Sequence, residues 1–144
     1  MAVRRALFGL LAVGVLSSTA VIGAVPAQAS GAPLSCPGTV IATRDIYNSY
    51  LPGNELRGVI GVVKLYYDSG YNCAQTVAGV SHDRIAVKLE VQNGQTLTGS
   101  AGSRDRVATH SVKAAGRCVR FSGSIGGGNK SNTGEAHTGF GWCG

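Results

Sequence analysis

Arg84-Ile85-Ala86-Val87-Lys88-Leu89-Glu90-Val91, followed by Gln92-Asn93-Gly94-Gln95, decides the fold class of this chain. Ile85, Val87, Leu89 and Val91 fall on one side of an extended strand; Arg84, Ala86, Lys88 and Glu90 fall on the other. That period of two is the mark of a half-buried β-strand. Asn93-Gly94 is the strongest short hairpin signal, because both residues accept the positive φ of a tight turn. Gln95 to Thr98 is the expected return strand.

Outward from this hairpin the chain keeps reading as β. Arg57 to Asp68 (RGVIGVVKLYYD) is apolar on both faces, with Val59, Gly61, Val63, Leu65 and Tyr67 opposite Ile60, Val62, Lys64 and Tyr66. A strand of that kind belongs in the middle of a sheet. Asp68-Ser69-Gly70-Tyr71-Asn72 reads as a turn, and Cys73 to Val80 as the partner strand. Further strands are expected at Val40-Ile41, Arg106 to Ala114, Arg117 to Ile125 and Thr138 to Cys143, with a polar loop over Gly99 to Asp105. No window sustains a helical period. The expected fold is all-β, a small antiparallel sandwich or barrel.

The first 29 residues have a different character. Arg4 and Arg5 precede an apolar run from about Ala6 to Val25, and Ala27-Gln28-Ala29 fits an A-x-A cleavage site. Residues 1–29 therefore read as a secretory signal peptide. A membrane anchor is the competing reading, but no charge follows the run until Arg44. Residues 30–35 read as a flexible leader and 36–144 as one β domain. Removal of 29 of 144 residues leaves 115, enough for a single domain. The loss of Arg4 and Arg5 lowers the net charge from +6 to +4. No dense basic run calls for nucleic acid, and no motif calls for a cofactor.

All four cysteines, Cys36, Cys73, Cys118 and Cys143, lie in the mature part. An even count in a short exported chain implies two disulfides, in one of three pairings. Cys36–Cys73 with Cys118–Cys143 is preferred, because it staples each terminus to a nearby strand. The spacing lacks the close pairs of a zinc site.

The remaining chemistry-bearing residues form no fixed constellation. Ser81-His82-Asp83 holds triad residue types, but sequence neighbours cannot face one another as nucleophile, base and orienter. His110 sits in an expected strand; His137 lies beside Glu135. A secreted ribonuclease would need a general base, a general acid and a cation on the phosphate. Glu55 or Glu90, His82 or His110, and Arg84 or Arg120 supply those types without a motif that selects among them. Gly126-Gly127-Gly128 lacks the directly following Lys-Ser/Thr and the helix of a phosphate loop. Asn129-Lys130-Ser131 fits the N-glycosylation triplet. Tyr47, Tyr50 and Tyr71, with Lys130, are the candidate surface-binding residues. Trp142 is expected to pack beside the Cys143 disulfide.

Several segments resemble the spore-associated protein A family of filamentous, spore-forming bacteria. They are Cys36-Pro37-Gly38, Lys64-Leu65-Tyr66-Tyr67 and Tyr71-Asn72-Cys73-Ala74-Gln75-Thr76-Val77. Ala115 to Gly126 (AGRCVRFSGSIG) and the end Trp142-Cys143-Gly144 complete the set. Phe121 stands where that family has tryptophan, and Ser122 where it has the first of two glycines. The resemblance implies a small exported protein held at the spore or cell surface, with no catalytic residues to transfer. The expected function is non-enzymatic surface association, through anionic cell-wall polymer. A secreted inhibitor or toxin-like module presenting Gly126 to Glu135, and a small hydrolase, are the alternatives.

Overall fold

The computed structural model describes residues 31–49, 58–127 and 132–144. The expected signal peptide, Tyr50, Glu55 and Lys130 lie outside the described residues, as does the middle of the glycine-rich loop. Nine strands follow in chain order: β1 (Thr39–Tyr47), β2 (Val59–Asp68), β3 (Tyr71–Ala78), β4 (Arg84–Val91), β5 (Thr96–Ala101), β6 (Arg106–Ala108), β7 (Val112–Lys113), β8 (Val119–Gly126) and β9 (Gly134–His137). No helix is found among the described residues, so none is long and apolar enough to cross a membrane.

Every pairing is antiparallel. One sheet runs β1-β2-β3-β6, with β7 also on β3, and the other runs β5-β4-β8-β9. The doubly apolar β2 takes the expected central place, between β1 and β3. Asp68 pairs with Tyr71 around Ser69 and Gly70, whose φ angles of 49° and 89° suit a two-residue hairpin. In the β4–β5 hairpin the positive φ, 53°, falls on Asn93.

The two sheets stack face to face. Ile46, Val63, Leu65 and Ala74 meet Ile85, Val87, Leu89, Val91, Val119, Phe121 and Ile125 in one core. The sandwich closes at both sides through glycines. Gly99 of β5 lies against the carbonyl of Ala108 in β6, and Gly134 of β9 lies against the carbonyl of Tyr47 in β1. A side chain at either position would push the sheet edges apart.

Both disulfides form with the preferred pairing, Cys36–Cys73 and Cys118–Cys143. Such bonds persist in an oxidising or extracellular setting. The first joins the chain start to β3. Beside it Gln75, only 4% exposed, donates from Nε2 to the Leu34 carbonyl at 2.6 Å and accepts from the Tyr66 hydroxyl at 2.8 Å. The Pro33 carbonyl accepts from the Ala108 amide, and Ala32 packs on the core. Within the leader, residues 32–34 are therefore docked against the sandwich.

Three strand expectations change. β1 is nine residues long rather than a short Val40-Ile41 piece. It is a sheet edge exposed on most of its length, with an irregular register at Ile41, so no alternation marks it. The strand expected over Arg106 to Ala114 splits into β6 and β7. Between them the Thr109 hydroxyl accepts from the Ala74 amide and the Thr109 amide donates to the Ala74 carbonyl. At the chain end, β9 covers Gly134–His137, and Gly141 alone bridges to Val119 beyond it.

Candidate functional site

The outer face of the β5-β4-β8-β9 sheet carries a continuous set of polar side chains. Its layout follows from register. Thr96, Glu90 and Arg120 form one row across the strands; Thr98, Lys88, Ser122 and His137 form the next; Ser100, Ala86, Ser124 and Glu135 form the third. The alternation that buries Ile85, Val87 and Leu89 puts all of these on the outside.

Small side chains in the third row leave a trough between longer neighbours. It is a groove of about 270 Å³ lined by Ala86, Lys88, Thr98, Ser100, Ser122, Ser124 and Glu135. A second depression of about 510 Å³ adjoins it through Ser124 and Glu135, and continues past Arg84 to Thr133 and Ser49. Among the described residues, the hydroxyls of Thr98, Ser100, Ser122 and Ser124 have no hydrogen-bond partner.

Charge on this face is largely compensated from within. Arg120 binds Glu90 through two hydrogen bonds, Nε at 2.8 Å and Nη2 at 2.9 Å, and the Lys88 ammonium lies 3.2 Å from the same carboxylate. These donors hold the Glu90 carboxyl below the ordinary glutamate range, with Arg120 the largest cause, against a smaller opposing effect of burial. The same bond raises Arg120. The Arg120 guanidinium also sits 4.7 Å over the ring of Phe140, which is 45% exposed.

Of the tyrosines singled out in the sequence, the two described ones, Tyr47 and Tyr71, are not brought together. Tyr47 pairs with Val59 at one end of β2, and Tyr71 with Asp68 at the other. That is about 30 Å along the strand at 3.3 Å per residue. Both are exposed, on the opposite sheet from the polar face.

Of the residue types weighed for hydrolysis, Glu90 and Arg120 do meet. Their proposed histidines lie elsewhere. His110 is on the loop between β6 and β7. His82 precedes β4, whose Arg84 end lies about 20 Å along the strand from Glu90. His82 Nδ1 lies 2.9 Å from the Val80 carbonyl and Nε2 2.8 Å from the Arg104 carbonyl, so whichever nitrogen carries the proton has a backbone acceptor. His137 shares the polar face with Glu135, both exposed.

Trp142 packs on Phe121, ring centroids 5.1 Å apart, and Arg44 lies 6.0 Å over the indole. Its φ of 50° explains the placement. Regular alternation from the outward Phe140 would point residue 142 outward too; the left-handed residue turns the indole inward. Among the described residues no group of three His, Cys, Asp or Glu side chains is placed to hold a metal.

Sequence reasoning missed the hydroxyl trough. Ser100, Ser122 and Ser124 sit in separate segments, and only the pairing of β4 with both β5 and β8 assembles them. No family model, curated protein or solved structure matches the chain.

Proposed function

We propose that this protein acts outside the cell as a non-enzymatic, surface-associated binding protein, retained on the spore or hyphal wall by cell-wall polymer. The observation that carries this reading is the outer face of the β5-β4-β8-β9 sheet, a polar surface on which the Thr98, Ser100, Ser122 and Ser124 hydroxyls are unengaged among the described residues. The signal-like start, the two disulfides, the cationic excess and the resemblance to the spore-associated protein A family support it. A mature charge of +4 would draw the protein to anionic wall polymers such as polyol phosphates.

The test is co-sedimentation of the oxidised protein, residues 30–144, with washed spore and hyphal walls at low and high salt. Retention at either salt supports wall association, and retention that falls with salt supports the electrostatic form of it. Absence from the walls at both salts overturns the reading.

A further inference from the structure

We infer that the trough across β5, β4 and β8 binds an uncharged polysaccharide strand. This rests on the surface-binding reading and changes the class of polymer that the polar face recognises.

The first argument is charge. Lys88 and Arg120 are the cations nearest the trough on its Glu90 side, and both are paired with Glu90, whose charge offsets one of theirs. An anionic polymer would compete with that carboxylate for Arg120, which holds it through two charge-assisted hydrogen bonds at 2.8 and 2.9 Å. At the other side Arg84 and Glu135 oppose one another in sign across the adjoining depression. The face as a whole offers little net field to a polyanion.

The second argument is hydrogen-bonding type. The trough presents hydroxyls that can each donate once and accept twice, and none is engaged within the described residues. Sugar hydroxyls have the same dual capacity. The Ser and Thr hydroxyls pair with them without charges of their own to desolvate.

The third argument is shape and rigidity. The row Ser100–Ala86–Ser124–Glu135 crosses four strands, about 14 Å at the usual interstrand spacing. Ser122 and Ser124 lie on β8, flanked by β4 and β9, so their backbones are fixed before a ligand arrives. Little ordering cost remains to be met on binding. The continuation past Arg84 to Thr133 and Ser49 extends the track, as a chain-like ligand requires and a single sugar does not.

The experiment is affinity retention of the oxidised protein, residues 30–144, on insoluble cellulose, chitin and β-1,3-glucan, on polyphosphate resin, and on washed walls, at low and high salt. Amide and side-chain NMR shifts are followed on addition of soluble fragments of whichever glycan retains it. The expected result is retention on at least one neutral polysaccharide, equal at both salts, with shifts at Thr98, Ser100, Ser122 and Ser124.

Ser124→Arg, which fills the trough, should abolish this retention, and Tyr71→Ser on the other sheet should leave it unchanged. Should Ser124→Arg fail to fold, Thr98→Ala with Ser100→Ala removes two exposed hydroxyls and should weaken retention. Neutral-glycan binding that survives these changes, or shifts centred on Tyr47 or Tyr71, overturns the assigned site. Salt-sensitive retention on walls and polyphosphate alone overturns the neutral ligand while wall association stands. No retention on any support overturns both.

Discussion

The Thr76 hydroxyl donates to the Ala86 carbonyl at 2.9 Å, spanning the interior from one sheet to the other. Thr76 is fully buried, and Gly123 leaves the space it occupies. A Cβ on residue 123 would run into the Thr76 hydroxyl and come within 2.7 Å of the Val63 Cβ. This polar link ties β3 to β4 within a largely apolar core. Thr76→Val keeps the shape but leaves the link unmade, and should lower stability by about 1–2 kcal/mol. Gly123→Ala should cost more, since backbone and side chains must both shift. Urea midpoints of the two variants check this; a neutral Gly123→Ala would mean that the sheets are not so closely apposed.

Glu90 gives the fold a dependence on acid. Its carboxyl is held below the ordinary glutamate range by Arg120 and Lys88, so it binds a proton less readily folded than unfolded. The stability it contributes is complete above the unfolded glutamate pKa and is lost as pH falls through the lower folded value. Glu90→Gln should be less stable than the parent at neutral pH, and the gap should close in acid. Denaturation midpoints over an acid series decide it: a gap that stays constant removes Glu90 as the cause.

The Cys36–Cys73 bond closes a span of 37 residues. On the loop-entropy account its removal should cost about 3–4 kcal/mol. The structure adds a local signature. With Cys36 and Cys73 both changed to Ser, residues 32–34 should leave the sandwich, and the Ala108 amide should lose its Pro33 partner. Hydrogen exchange at Ala108 should then quicken well before the core opens. Unchanged protection there would show that Gln75 alone holds the segment.

Trp142 is the single tryptophan, so its emission reports one corner of the molecule. It packs on Phe121 and precedes Cys143, whose partner is Cys118. Selective reduction of Cys118–Cys143 should shift the emission to the red as the indole gains water, while the far-ultraviolet signal of the sheets persists. An emission that does not move would mean that the Phe121 contact and the left-handed backbone hold the indole unaided.

Most of the fold was legible because burial imposes a period of two on central strands. β4 and β8 carry it, β2 was legible by being apolar on both faces, and the pairing that staples each terminus to a nearby strand is the one that forms. What escaped were the edges. β1 faces solvent along much of its length, so nothing in Thr39–Tyr47 selects apolar residues at alternate places. Thr109 breaks a run of strand character by putting its hydroxyl where a ladder carbonyl would have accepted from the Ala74 amide. The candidate site escaped for a related reason. Hydroxyls on an outer sheet face carry no hydrophobic signature, whereas tyrosines draw attention wherever they fall. Tyr47 and Tyr71 lie at opposite ends of one strand, and only register reveals that.

The placement of β4 between β5 and β8 has a kinetic side. Its first neighbour is a hairpin partner a few residues away, but Arg84 meets Gly126 only after the chain has visited the other sheet through β6 and β7. Until then, one edge of the chain's most regularly alternating strand stands open, a template for a stray copy. Lys88 and Glu90 are set along that strand. Before β8 brings Arg120 to meet them, these charged groups must stay hydrated, which makes it costly to cover that strand with an apolar strand of a second molecule. The residues that later order the polar face thus act first as guards during folding.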